Sequence, residues 1–163
     1  MTSARDKIWF ITGCSTGMGR DIALAALERG YRVVLTARDP ASLADLCARF
    51  PDRATAARLD VTDAVQVDEA VGHANRVFGR IDVLVNNAGY GYLAAIEEGD
   101  LGEVRAMFET NFWGLLAVTR AVLPQMRERR SGQVINNSSQ AGLMSYPGTA
   151  YYSTSKFAVE ALS

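Results

Sequence analysis

The sequence has few of the residues that build disulfide frameworks or metal centres. Its 163 residues include two cysteines, Cys14 and Cys47, and one histidine, His73. Two cysteines are too few for a disulfide scaffold, and with a single histidine they form no metal-ligand cluster. We therefore predict that each cysteine is a structural thiol and that the protein has no metal site.

Excess charge and long apolar runs are also missing. A net charge of −1 argues against a nucleic-acid partner, which would require a strongly basic face. No apolar run approaches the length of a membrane span, and the polar N-terminus is not followed by the apolar region of a signal peptide. We expect a cytoplasmic protein without nucleic-acid or membrane partners. The length and a hydrophobic content of 48% predict one domain with a buried core.

The sequence does contain a glycine-rich turn between an apolar run and a helical pattern. The turn reads Thr12-Gly13-Cys14-Ser15-Thr16-Gly17-Met18-Gly19. Gly13 allows a tight turn, while Gly17 and Gly19 lack the side chains that would keep a pyrophosphate and a neighbouring strand away from the helix. The free N–H groups and the positive dipole end of that helix favour a phosphate. The alternative is a glycine-rich loop that binds no ligand.

Strand and helix patterns alternate along the whole chain. Strands are predicted at 8–11, 32–37, 56–59, 81–85 and 133–138, and helices at 17–29, 41–49, 63–78, 101–130 and from about 151. Gly30 is predicted to be left-handed after the first helix, and Pro124 to kink the long helix or loosen its last turn. Asp63 and Gln66 are typical of a capping box. The predicted buried stripe of the long helix comprises Val104, Phe108, Leu115, Val122 and Met126.

This alternation predicts an α/β fold with a doubly wound parallel sheet, the Rossmann fold, and helices on both faces. In such a fold the ligand binds at the carboxyl ends of the strands. The glycine turn lies at one of those ends, which favours a nucleotide site there.

Two side chains of the last predicted helix share a face because they lie four residues apart. The ammonium of Lys156 can therefore approach the phenol of Tyr152 and favour the phenolate. Tyr151 lies about 140° from Lys156 around the helix, so the geometry selects Tyr152. An unrelated aromatic residue and lysine at this spacing are the alternative.

Two further polar residues stand at informative positions. Ser139 follows the fifth predicted strand, where its hydroxyl can point into the ligand crevice, although serines there are usually turn formers. Asn111 falls on the apolar stripe of the long helix, and a buried amide is unfavourable unless it is hydrogen-bonded. It either ties two backbone segments together or holds a water that leads from Lys156 to solvent.

Taken in order, these motifs resemble those of the short-chain dehydrogenase/reductase family over the whole chain. The glycine turn is similar to the family's coenzyme loop, Asp60-Val61 to its adenine contact, and Asn86-Asn87-Ala88-Gly89 to the motif after its fourth strand. Asn111, Ser139, Tyr152 and Lys156 match its catalytic tetrad. The resemblance implies coenzyme contacts at Gly13, Ser15, Thr16, Gly17, Met18, Gly19, Arg38, Asp60, Val61, Asn87, Ala88, Gly89, Tyr152 and Lys156.

The resemblance implies reversible hydride transfer between a nicotinamide coenzyme and the carbonyl or secondary alcohol of a small-molecule substrate. Tyr152 would be the general acid/base, and Ser139 would hydrogen-bond the carbonyl oxygen. Lys156 would hold the ribose and favour the phenolate, and Asn111 would anchor a proton relay. The family also forms oligomers through the long helix and the tyrosine helix, which implies a homo-oligomer for a complete chain.

The coenzyme is expected to be NADP(H), with NAD(H) as the second choice. An acidic side chain at the end of the second strand would bind the ribose hydroxyls of NAD(H), but Ala37 stands there. Arg38 follows, and its guanidinium can pair with a 2′-phosphate. No basic residue occupies position 16, so Arg38 would supply most of the preference. An exposed loop arginine without this role is the alternative.

The sequence departs from the family pattern in two places. Asn137 stands before Ser138-Ser139, where a β-branched or apolar residue is more usual, and this affects the expected strand packing. Family members also continue past the tyrosine helix, so residues 1–163 are expected to form one dinucleotide-binding domain that is incomplete at its C-terminus, poorly stable and inactive. The alternative function is a non-catalytic nucleotide-binding or interaction module without a closed substrate site.

Overall fold

The computed structural model describes residues 7–163, in which five parallel strands form one sheet of order β3-β2-β1-β4-β5. The strands are β1 Ile8–Ile11, β2 Arg32–Ala37, β3 Ala54–Arg58, β4 Val83–Asn86 and β5 Gln133–Asn136. Strand order reverses between β1 and β4, which is the position where doubly wound sheets bind their ligands. The predicted doubly wound parallel sheet is confirmed.

Helices connect the strands and cover both faces of the sheet. They are α1 Gly17–Glu28, α2 Ala44–Arg49, α3 Ala64–Phe78, α4 Leu101–Phe108, α5 Leu115–Glu128 and α6 Ala150–Leu162. A π-helical segment, Glu109–Gly114, joins α4 to α5, and short 3₁₀ turns occupy Pro40–Leu43 and Gln140–Gly142. No helix within residues 7–163 is both long and apolar enough to cross a membrane.

Two apolar clusters make up the core, one on each side of the sheet. Phe10, Val34 and Leu84 pack with residues of α3 and α5, while Ile11, Leu35 and Val83 pack with residues of α1 and α2. Neighbouring residues of β1 therefore point into opposite layers, as the pleat of a strand requires. A parallel sheet that is buried on both faces is held by both helical layers, which fixes its carboxyl edge in place.

Local signals place several element ends as predicted. Gly30 has a φ of 89° and Gly79 has a φ of 86°, so both are left-handed residues that end a helix. Asp63 accepts hydrogen bonds from the backbone N–H groups of Val65 and Gln66 and caps α3. The predicted capping box is only half formed, because the Gln66 side-chain oxygen accepts from the N–H of Asp60 and not from that of Asp63.

The predicted helical segment over 101–130 is present as α4, a π-helical segment and α5, which ends at Glu128. The π-helical segment interrupts it, and the extra residue in that turn rotates the buried face. Met107 and Val118 are buried, whereas the predicted core residue Phe108 is only half-buried. α5 runs through Pro124, and the irregular part of the helix lies upstream of that proline.

Candidate active site

The glycine turn is locked to the neighbouring strand end by hydrogen bonds. The buried hydroxyl of Thr12 accepts from the N–H groups of Asn87 and Ala88, at 2.9 Å each. The amide of Asn87 donates to the carbonyls of Thr12 and Gly13 at 2.9 and 3.1 Å. The turn after β1 and the segment after β4 therefore form one wall at the switch point of the sheet.

Glycine is required at two positions of this turn. Gly13 has a φ of 72°, a conformation that other residues rarely adopt. A Cβ on Gly19 would lie 2.3 Å from both the Asn87 amide nitrogen and the Gly13 carbonyl oxygen. The absence of side chains here lets the helix start approach the strand ends closely.

The N-terminus of α1 is open to an anion. Thr16 occupies the N-cap position without a side-chain hydrogen bond to the helix, and the first turn contains no acidic residue. The N–H groups of that turn thus lack side-chain acceptors, and their partial positive charge favours a phosphate oxygen.

A cleft of about 1100 Å³ opens along this edge of the sheet. The predicted coenzyme residues that line it are Gly13, Ser15, Thr16, Gly17, Met18, Gly19, Arg38, Asp60, Val61, Asn87, Ala88 and Gly89. Tyr152 and Lys156 lie outside this lining. The lining residues missed by sequence analysis are Ala37, Leu59, Thr62, Tyr90, Glu103, Ala106, Glu109, Thr110 and Asn137. Several of the missed residues adjoin predicted ones, and Glu103, Ala106 and Thr110 share a helical spacing that could have revealed them.

Two arginines near the cleft differ in their availability. Arg20 forms an ion pair with Asp45 and donates to the Ser42 carbonyl at 3.2 Å. Arg38 is exposed at the cleft, and no residue within 7–163 forms a hydrogen bond or ion pair with its guanidinium. The charge of Arg38 is therefore free for a ligand.

The end of β3 shapes the next part of the cleft. The Asp60 carboxylate accepts from the N–H and the hydroxyl of Thr62 at 3.0 and 2.8 Å and so closes a tight turn. Val61 is buried beneath Gly114, where a Cβ would lie 2.5 Å from a Val61 methyl carbon. The π-helical segment is thus packed directly against the turn after β3.

Lys156 is buried, with 6% of its surface exposed, and its ammonium donates to the Asn137 carbonyl at 2.9 Å. The same nitrogen lies 5.8 Å from the centroid of the Tyr152 ring. Burial lowers the pKa of Lys156 because the charged form loses hydration. The predicted approach of the ammonium to Tyr152 is present in the structure, with the hydrogen bond going to a backbone carbonyl.

Asn111 lies in the π-helical segment, and both ends of its amide are engaged. The oxygen accepts from the Tyr90 N–H at 3.0 Å, and the nitrogen donates to the Tyr90 carbonyl at 2.9 Å and to the Ser155 hydroxyl at 3.2 Å. Of the two roles considered for Asn111, the structure shows the tie between segments. It fastens the loop that follows β4 to α6 beside Lys156.

Ser139 and Tyr152 are the remaining predicted catalytic residues. The Ser139 hydroxyl oxygen accepts from the Ala141 N–H at 3.1 Å and caps a 3₁₀ turn, which leaves its hydrogen free to donate. Tyr151 points elsewhere, because its hydroxyl donates to the Ile96 carbonyl at 2.6 Å. Tyr152 itself is half-buried beside Gly91.

A family model described as short chain dehydrogenase matches residues 7–163. Oxidoreductase BOA17 from Botryotinia fuckeliana is 45% identical over 158 residues, which are 96% of this chain and 58% of that protein. The chain therefore spans a little more than half the length of this relative.

Solved structures give the same result. A short-chain dehydrogenase from Streptomyces avermitilis superposes with a TM-score of 0.94 and 48% identity, covering 99% of this chain and 60% of that one. A gluconate 5-dehydrogenase from Burkholderia cenocepacia, solved with NADP and tartrate, has a TM-score of 0.90 and 31% identity, covering 98% of this chain and 66% of that one.

Proposed function

The chain belongs to the short-chain dehydrogenase/reductase family, and we propose that it is an oxidoreductase acting between NADP(H) and a carbonyl or secondary alcohol. The observation that carries this proposal is the buried Lys156 ammonium beside the Tyr152 ring, at the sheet edge where the cleft opens. A buried charge is unfavourable, so its retention beside a phenol favours a chemical role.

The cleft fits a dinucleotide coenzyme, which when bound would supply or accept the hydride. The fit rests on the glycine turn, whose residues line the cleft of about 1100 Å³, together with the open N-terminus of α1. These groups would hold the pyrophosphate. Asp60 and Val61 would flank the adenine, and the free guanidinium of Arg38 would pair with a 2′-phosphate.

The side chains around Tyr152 can move a proton at the substrate oxygen. The Tyr152 hydroxyl would donate its proton to a carbonyl oxygen during reduction and accept it during oxidation. Ser139 would donate its free hydroxyl hydrogen to the same oxygen. The buried Lys156 ammonium, 5.8 Å from the centroid of the Tyr152 ring, would hold the coenzyme ribose beside that tyrosine.

Replacing Tyr152 with phenylalanine tests this role. We expect Tyr152→Phe to lower NADPH oxidation at least about 100-fold while changing coenzyme affinity less than about twofold, because it removes only the transferable proton. The assay uses residues 1–163 joined to the carboxyl-terminal segment of the Streptomyces avermitilis relative, with a panel of carbonyl compounds.

Tyr151→Phe is the matched control, because it removes the neighbouring hydroxyl from a tyrosine that binds the Ile96 carbonyl instead. It should retain turnover. A Tyr152→Phe variant that kept more than about a tenth of the rate would show that another group moves the proton. Coenzyme binding by the parent chimera without turnover on any substrate would favour a non-catalytic nucleotide-binding module.

Arg38 carries the proposed preference for NADP(H). Arg38→Ala should weaken NADPH binding about tenfold to 100-fold, because a charge-assisted pair with the phosphate is lost, and should leave NADH binding unchanged. Arg29→Ala removes the same charge at the far end of α1 and should affect neither coenzyme. Fluorescence titration of each variant with both coenzymes is the measurement. Tighter binding of NADH than NADPH by the parent chain would contradict the preference.

A further inference from the structure

We propose that Asn137 is a positioning residue that couples Lys156 to the coenzyme turn through Asn87. The proposal rests on the proposed function, since it concerns the same cleft. Asn137 follows β5, lines the cleft, and is the residue that departs from the family pattern.

A continuous path of hydrogen bonds runs through this asparagine. Lys156 donates to the Asn137 carbonyl at 2.9 Å, and the Asn137 amide nitrogen donates to the Asn87 side-chain oxygen at 3.0 Å. The Asn87 amide nitrogen in turn donates to the carbonyls of Thr12 and Gly13. The path joins α6 to the ends of β5, β4 and β1, and so it connects Lys156 to the proposed pyrophosphate turn.

The side chain at position 137 supplies the donor that the Asn87 amide oxygen needs. The Asn87 nitrogen must face the two carbonyls, because its oxygen would be repelled by them. That orientation turns the Asn87 oxygen toward position 137. Because the oxygen is half-buried there, it needs a hydrogen-bond donor from that position. A β-branched apolar residue would supply none and would leave the oxygen unsatisfied.

The two backbone bonds at this position do not depend on the asparagine side chain. Any residue except proline could accept there from Lys156 and donate its N–H to the Asn86 carbonyl, as Asn137 does at 2.9 Å. The bond to Asn87 is therefore the contribution specific to this sequence. The Asn87 amide packs closely against the glycine turn, since a Cβ on Gly19 would lie only 2.3 Å from its nitrogen. The amide therefore has no room to shift, and a change in its hydrogen bonding acts on the turn.

A double-mutant cycle on coenzyme binding tests the coupling. The dissociation constant for NADPH is measured by fluorescence titration for the 163-residue chain, Asn137→Val, Asn87→Ala and the double variant. We expect Asn137→Val alone to raise the dissociation constant about tenfold. In the Asn87→Ala background the same substitution should raise the dissociation constant less than about twofold, because its effect passes through Asn87.

Asn136→Val is the matched control. Its amide accepts from Asn86 and donates to the Ser163 hydroxyl, so its loss removes hydrogen bonds of the same kind without touching Asn87. It should leave the NADPH dissociation constant within about twofold of the parent value. Circular dichroism checks that each variant folds, and Asn137→Ala replaces Asn137→Val if the valine variant does not.

Three results would overturn the inference. The first is an unchanged dissociation constant in Asn137→Val and Asn137→Ala. The second is a tenfold effect that persists in the Asn87→Ala background, which would indicate a direct contact between Asn137 and the coenzyme. The third is a parent chain that binds no NADPH, and this result would contradict the proposed function as well. The first two results contradict the inference alone.

Discussion

Cys14 occupies the glycine turn but is chemically protected. Its side chain is fully buried, its sulfur donates to the Ile11 carbonyl at 3.2 Å, and burial raises the pKa of the thiol to about 12. Because the thiolate is the reactive form, a raised pKa makes this cysteine inert. The turn that forms the cleft is thereby shielded from alkylation and oxidation.

We predict that Cys14 resists iodoacetamide at pH 8 while the protein is folded. Cys47 is half-buried, and burial together with Asp45 also raises its pKa, but its exposed part should be alkylated first. Mass spectrometry of peptides from a labelling time course measures both sites, and Cys47→Ser isolates the remaining thiol. Labelling of Cys14 at the rate of the urea-unfolded chain would contradict the prediction.

The site residues that sequence analysis identified have local signals. Tyr152 and Lys156 share a helical spacing, and the glycines follow a strand directly, so their proximity is set by one element or one turn. Asn137 has no such signal, because its partner Asn87 belongs to a strand end that is distant in sequence. The roles of the predicted site residues stay predictions until the variants above are measured.

The π-helical segment is the element that connects the helical layer to the cleft. Asn111 within it binds Tyr90 and Ser155, and Gly114 at its end lies against Val61. The apolar pattern of 101–130 predicts a regular helix because nothing in the local sequence marks the extra residue. The contacts that favour the π turn come from three other segments of the chain, and for that reason sequence periodicity could not reveal it.

Gly114→Ala should disturb both stability and coenzyme binding. The new Cβ would lie 2.5 Å from a Val61 methyl carbon and 3.0 Å from the Val61 carbonyl oxygen, so the turn after β3 has to move. We expect a loss of about 1–3 kcal/mol in the free energy of unfolding, as in other overpacked sites. Urea denaturation measures this loss. The variant should also bind NADPH more weakly, which fluorescence titration measures.

Gly72→Ala is the matched control in another helix. Its Cβ would meet only the flexible end of Arg76, at 3.2 Å, so this substitution should stabilise the protein by about 0.5–1 kcal/mol through lower entropy of the unfolded chain. Equal effects of the two substitutions would show that close packing against Val61 does not determine the effect of Gly114→Ala.

At the scale of the whole molecule, the cleft draws residues from both halves of the sheet. Its lining comes from the ends of β1, β2, β3, β4 and β5 and from one face of α4. The parallel arrangement of the strands, which the alternation of helices and strands predicts, brings these ends to one edge of the sheet. A ligand that fits the cleft therefore bridges segments that separate on unfolding.

Coenzyme binding should consequently stabilise the entire domain. NADPH at about 100 times its dissociation constant should add about 2.7 kcal/mol to the free energy of unfolding, which corresponds to a rise of roughly 5–10 °C in Tm for a chain of this size. Circular dichroism melting of the 163-residue chain measures the shift. The same melt without coenzyme tests the expectation that this chain is poorly stable, which stays a prediction.

Hydrogen exchange separates stabilisation of the whole domain from ordering of the cleft alone. If NADPH binds only the folded state, hydrogen exchange at the amides of the central strands β1 and β4 should slow, because these amides exchange through global unfolding. Their exchange rates should fall by about the factor that corresponds to the gain in unfolding free energy. Amides of the glycine turn should slow as well. Arg38→Ala at the same NADPH concentration should lose most of both effects. Slowing confined to residues 12–19, with unchanged exchange in β1 and β4, would show that the coenzyme orders the turn without stabilising the sheet.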